Sequence, residues 1–145
     1  MFSPQLPARP GRPNPFANAY RQVGTQTAVA SASPHRLIEM LFEGLMDALA
    51  QAKGALRSGQ VELKGRALGR AARIVDEGLR AALDLRDGGA LAGDLHALYG
   101  YLSMRLTAAN LRNDEDAIDE CQRLVAPLQD AWQAIGPQVN ATPAR

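Results

Sequence analysis

The sequence has a single cysteine, Cys121, in 145 residues. That excludes an intramolecular disulfide framework and a multi-cysteine zinc site. His35 and His96 are the only histidines, and neither has a His or Cys three or four positions away, so metal-ligand spacing is missing. No apolar run approaches the ~18 residues that mark a membrane span. The opening Met1-Phe2-Ser3-Pro4 lacks a basic stretch followed by an apolar one. A secretory leader is therefore not expected, and a cytoplasmic location is. Aromatics are only 5%, while Ala and Leu are the commonest residues. Strands favour β-branched and aromatic side chains, so helices are expected. Sixteen basic and fifteen acidic residues leave a net charge of +1, without the basic excess of a general nucleic-acid binder.

What is present fits one helical domain. The chain is 46% hydrophobic and 21% charged, enough to bury a single core. Residues 1–15 carry Pro4, Pro7, Pro10, Pro13 and Pro15, five of the nine prolines. Proline cannot continue a helix or a central strand, so this stretch is expected to be a disordered, polyproline-like arm. In residues 16–32, Phe16, Tyr20 and Val23 share one helical face before Gly24. So short a helix must dock or fray. It is either an ordinary docked terminus or a removable cover on a groove that a partner helix can occupy.

Residues 33–136 carry four amphipathic stripes. Ser33-Pro34 is an N-cap followed by proline at the first helical position. Leu37, Ile38, Leu41, Phe42, Leu45, Met46 and Leu49 follow at helical spacing, and Arg57-Ser58-Gly59 stops the run. A second helix is expected over Gln60–Arg86, with small residues at Gly65, Gly69 and Gly78. These either let a neighbouring helix approach closely or keep a groove shallow. A third is expected over Ala90–Arg112, with Leu91, Leu95, Leu98, Tyr99, Leu102 and Leu106 on one side. Asn113-Asp114 turns the chain into a fourth, striped by Ile118, Cys121, Leu124, Val125, Leu128, Trp132 and Ile135. Pro127 is expected to kink it, Gly136-Pro137 to stop it, and residues 137–145 to be a disordered tail. Short connections imply an all-α, antiparallel up-down four-helix bundle with a short N-terminal helical segment.

No catalytic constellation stands out. Asp94, His96 and Ser103 are triad residue types without triad spacing. Cys121 sits on an apolar stripe, as a buried structural thiol does. Inward Glu or Glu-x-x-His sets of a metal bundle are absent from the pattern. No enzyme activity, metal or cofactor is expected. Glu39, Glu43 and Asp47 form an acidic row, and Arg66, Arg70, Arg73 and Arg80 a basic one interrupted by Glu77. Each row is either a solvated or mutually paired face, or the rim of a docking groove.

Several stretches in series resemble the FliS family of flagellin-specific export chaperones. Ala32-Ser33-Pro34-His35-Arg36-Leu37-Ile38-Glu39-Met40-Leu41-Phe42-Glu43-Gly44 resembles the family's first bundle helix. Asn18-Ala19-Tyr20 with Thr27-Ala28 is similar to its N-terminal segment. Leu83-Asp84-Leu85, Gly88-Gly89 and Leu95-His96-Ala97-Leu98-Tyr99-Gly100-Tyr101 resemble its middle. Ala109-Asn110-Leu111-Arg112-Asn113-Asp114 and Asp130-Ala131-Trp132 resemble its last helix pair. The Pro-rich arm, Gly100 and the single Arg105 depart from the family pattern.

The resemblance implies a cytoplasmic chaperone that binds the C-terminal segment of flagellin, stops early polymerisation and aids delivery to the export apparatus. It also implies an N-terminal segment that caps part of the cargo surface in the free protein. The expected partner-contacting residues are Phe16, Tyr20 and Val23, with Leu95, Leu98, Tyr99, Leu102 and Leu106. Candidate partners beyond flagellin are export-gate components and a second copy of the chain. Neither nucleic acid nor membrane insertion is expected. The rival reading is a helical regulatory or adaptor module acting on another protein.

Overall fold

The computed structural model describes residues 14–21 and 32–136. Most of the Pro-rich arm, Val23, Gly24, the Thr27-Ala28 pair and residues 137–145 lie outside the described residues. Among the described residues, five α-helices follow one another: α1 (Pro15–Ala19), α2 (Pro34–Arg57), α3 (Val61–Arg73), α4 (Gly89–Arg112) and α5 (Glu115–Ala134). The helix begun by α3 runs on as a π-helical stretch, Ile74–Arg80.

The helix boundaries follow local chemistry. Ser33 Oγ accepts from the Arg36 amide at 3.1 Å, with Pro34 in the first turn of α2. Gly59 takes the positive φ of +74° that ends α2, which a side chain would strain. Asn113 closes α4 with φ +53°, one of the few residue types that tolerate that region. Asp114 then caps α5, its Oδ1 accepting from the Ala117 amide at 3.3 Å. Pro127 sits exposed inside α5, which continues past it to Ala134.

The bundle closes as a ring: α2 packs on α3 and α5, and α4 packs on the same two helices. Fully buried Phe42, Leu45, Leu49, Leu68, Leu102, Leu106, Ile118 and Val125 fill the centre. Ion pairs tie its outer seams: Lys53 to Asp119 at 2.7 Å, Arg57 to Glu115 at 2.6 Å, and Arg105 to Glu120 at 2.7 Å. Lys64 is buried without an acid among the described residues; its Nζ donates to the Asn110 carbonyl at 2.9 Å and to Asn113 Oδ1 at 2.5 Å. It thereby satisfies the carbonyl end of α4.

Two expectations need correction. The second helix does not run in one α-helical piece to Arg86: it changes to π geometry at Ile74 and ends at Arg80. Apolar periodicity cannot register that switch, because one turn of wider winding shifts the stripe by only a residue. The N-terminal helix is also shorter than its apolar face, since Tyr20 already serves as its C-cap with φ −113°.

Glycine substitutions test the packing in opposite directions. A Cβ on Gly88 falls 2.2 Å from the Asp84 carbonyl oxygen, 2.7 Å from Ala92 Cβ and 3.2 Å from Ala19 Cα. Gly88→Ala is expected to lower stability by about 2 kcal/mol, the scale of overpacking. A Cβ on Gly54, inside α2, meets nothing within 4 Å among the described residues, so Gly54→Ala should raise stability by roughly 0.5–1 kcal/mol. Denaturant melts of both variants check the two signs.

Candidate partner-binding surface

The N-terminal segment carries its own start signal. Asn14 Oδ1 accepts from the amides of Phe16 at 2.8 Å and Ala17 at 3.3 Å, and Pro15 follows it. Five residues are far below the ~12–15 that an isolated helix needs. The helix exists because it is docked. Phe16, Ala19 and Tyr20 are buried, while Arg21 is exposed.

What α1 lands on is an aromatic cluster drawn from three bundle helices. The Phe16 ring lies 5.0 Å from Trp132 and 6.4 Å from Phe42, both edge-on. Tyr20 meets Trp132 edge-on at 5.5 Å, and its hydroxyl is 2.5 Å from that of Tyr99. Offset and edge-on pairs of this kind add stability beyond the area they bury. Burial holds both phenols above the usual tyrosine range.

Trp132 is itself pinned from behind. Its Nε1 donates to the His35 carbonyl at 2.9 Å, and the His35 ring stacks on the indole at 4.9 Å and 7°. His35 Nε2 lies 2.8 Å from the Trp132 carbonyl oxygen. A carbonyl only accepts, so Nε2 carries the proton. The first turn of α2 and the last turn of α5 are thus locked together beneath the cover.

A polar edge completes the dock. The Asp84 amide donates to the Ala19 carbonyl at 2.8 Å, and Asn18 Nδ2 donates to the Asp87 carbonyl at 3.2 Å. Arg21 bridges Asp84 at 3.4 Å and Asp87 at 3.2 Å. Asp84 is buried, and its other oxygen accepts from the Asp87 amide at 2.9 Å. Gly88 is the residue that lets the Ala19 backbone come so close.

Of the residues expected to contact a partner, the structure brings Phe16, Tyr20 and Tyr99 together. Leu95, Leu102 and Leu106 are buried along α4, and Leu98 is half-buried. Val23 lies outside the described residues. Leu106 also lines a separate groove of about 390 Å³ between α3 and α4, with Leu68, Gly69, Ala72, Thr107, Asn110 and Leu111. Phe42, Trp132, His35 and Asp84 are members of the site that were not among the expected partner-contacting residues, although each stands in a stretch that resembles the family. Phe42 and Trp132 stood on apolar stripes, which marks a core position and no more.

Residue types associated with catalysis are dispersed. Ser103 Oγ donates to Asp76 at 2.6 Å, and His96 Nε2 accepts from Arg80 Nε at 3.2 Å, so neither joins Asp94 in a triad. Burial pushes the Cys121 thiol up to about 11, which leaves it un-ionised at neutral pH. The acidic row is partly neutralised by Arg36, which reaches Glu39 at 3.2 Å and Glu43 at 3.0 Å.

The tyrosine pair gives a direct test. Removing one hydroxyl strands the other in a buried site, so Tyr20→Phe and Tyr99→Phe should each cost about 1–2 kcal/mol. The double variant should cost less than their sum, which a double-mutant cycle of denaturant melts measures. Both phenols have their folded pKa raised above 10.0. Their contribution is therefore complete below the unfolded pKa and lost as the pH rises through 10 and beyond. Melts across the alkaline range should show a shallower loss for the double phenylalanine variant.

Comparison with known proteins adds to this geometry. The family model described as "Flagellar protein FliS" matches residues 16–139. The flagellar secretion chaperone FliS of Salmonella typhimurium is 47% identical over 127 residues, covering 88% of this chain and 94% of its own. FliSB of Pseudomonas aeruginosa, also named a flagellar secretion chaperone, is 43% identical over 80% of this chain and 91% of its own. FliS of Bacillus subtilis is 32% identical over 84% and 86%. A family match from Phe16 onward takes in α1 and the whole bundle. With that coverage, the chain belongs to the FliS family, a family of flagellar secretion chaperones rather than enzymes.

Proposed function

We propose that this chain binds the C-terminal segment of flagellin in the cytoplasm, keeps it from polymerising, and helps deliver it to the flagellar export apparatus. One observation carries the reading: a five-residue helix that cannot stand alone covers an aromatic surface built from Phe42, Tyr99 and Trp132. A short helix held only by docking is a replaceable occupant. A filament-building segment carries apolar helical faces before assembly, and a bundle that can be uncovered buries them. Phe16, Tyr20 and Val23 form the cover in this reading. Tyr99, with Phe42 and Trp132, forms the surface that cargo takes over, and of the α4 leucines only half-buried Leu98 can add to it, since Leu95, Leu102 and Leu106 are buried in the bundle.

Ordering an unfolded segment offsets a few kcal/mol of the gross gain. That discount suits a cargo that must later be surrendered to export-gate components. Affinity from apolar burial also implies weak salt dependence and a negative heat-capacity change on binding.

Deleting residues 1–24 should strengthen binding of a short flagellin C-terminal peptide in calorimetric titrations, since the competitor is gone. Tyr20→Ala should act in the same direction, by about 1–2 kcal/mol for loss of an aromatic anchor. Weaker binding by both variants would place α1 in contact with cargo rather than in its way. Tight binding to a regulator with none to flagellin would favour an adaptor role instead.

A further inference from the structure

The glycines of α3 and its π-helical continuation divide into two groups. Gly78, in the π-helical stretch, is there to be crowded: a Cβ would fall 2.9 Å from Leu41 Cδ2. Gly65 and Gly69 are not crowded. Their nearest contacts would be 3.8 Å to Asn110 Oδ1 and 3.7 Å to an Arg73 guanidinium nitrogen, which is ordinary packing. Alanine fits at both positions and makes a better helix. Nothing among the described residues requires these two glycines, yet Gly69 lines the α3–α4 groove and Gly65 lies one turn away on the same face.

The groove has unlike edges. On the α4 side Met104 is 58% exposed and Leu111 is 77% exposed, two turns apart on one face, with uncharged Thr107 between them. On the α3 side stand Arg66 and Arg73, also two turns apart. Arg73 borders Gly69 directly. Both arginines are exposed, and neither has an ion-pair partner among the described residues. Among the described residues nothing covers the groove while α1 is docked, because α1 sits against Trp132 and the Leu83–Gly88 loop, not on this face.

We infer that the α3–α4 groove is a second docking site, for an amphipathic helix of a protein partner that carries acidic residues along its α3-facing edge. The floor without side chains at Gly65 and Gly69 admits a helix backbone closely. Exposed Leu111 and Met104 and half-buried Ala72 bury its apolar stripe, with buried Leu68 and Leu106 beneath them. Unpaired Arg66 and Arg73 favour an acidic edge and repel a basic one. From Gly65 to Ala72 the floor is about 10 Å long at 1.5 Å per residue, so about two turns of partner fill it. This site does not depend on the flagellin reading of the α1 surface.

The test uses the full chain, isotope-labelled for amide NMR, and two synthetic helical peptides of about 15 residues. Both carry one leucine and alanine stripe; one has glutamates along a single edge and the other lysines. The glutamate peptide should shift the amides of Gly65, Gly69 and Thr107 and leave Asn18 and Trp132 in place. At low salt it should bind about tenfold more tightly than the lysine peptide, from two exposed pairs that attract one peptide and repel the other. The Arg66→Glu/Arg73→Glu variant, altered only at exposed positions, should reverse that order. Equal affinities, no binding, or shifts confined to the α1 surface overturn the proposal. So does a free chain that sediments as a dimer with its groove amides shifting on dilution, since a second copy is then the occupant.

Discussion

A helix of five residues cannot hold its own shape, and the organisation of this protein's aromatic end depends on that limit. The α1 backbone is helical only while Phe16 and Tyr20 rest on Phe42, Tyr99 and Trp132. Its stability is borrowed from the bundle. The bundle in turn is prepared for it: His35 and Trp132 exchange hydrogen bonds to each other's carbonyls and stack, which fixes the indole where α1 lands. Asp84 and Gly88 place one loop so that the Ala19 carbonyl finds a donor and its Cα finds room. Covering of this kind is complete yet thin, since few residues must leave for the whole aromatic surface to open.

The rest of the molecule resists such opening. Four long helices close a ring whose centre is filled by leucine, isoleucine, valine and phenylalanine side chains. Inter-helix pairs such as Lys53–Asp119 and Arg105–Glu120 sit on its seams, and Lys64 ties α3 to the end of α4. A packed scaffold with one thinly held element suits the proposed role of holding an unfolded segment and later letting it go. The α3–α4 groove is a different kind of surface, open from the start and charged along one edge. Two surfaces with unlike chemistry let a single bundle discriminate between partners rather than bind any apolar helix.

Most of the fold was legible because its signals are local. Ser33-Pro34, Gly59 and Asn113-Asp114 each act within a few residues, so the caps and turns they form were readable one position at a time. The apolar stripes gave the four helices and much of the core. The site was less legible, for a physical reason in each case. Phe42 and Trp132 look like any other core residue until something docks on them. His35 lies ninety-seven positions from its partner, and Asp84 sixty-three from Arg21, and no periodicity reports such pairings. The π-helical stretch changes winding without changing residue types. Gly65, Gly69 and Gly78 read alike in sequence, and only the space around each separates close packing from an open floor.

That α1 and the cargo segment share one surface is the central claim, and amide hydrogen exchange tests it most directly. Exchange at residues 16–21 is to be followed in the full chain, free and saturated with the flagellin C-terminal segment. Shared occupancy requires protection at those residues to fall on binding while α2 and α4 stay protected, with the emission of Trp132, the sole tryptophan, changing in step. Protection that is retained or increased at residues 16–21 while cargo is bound contradicts it.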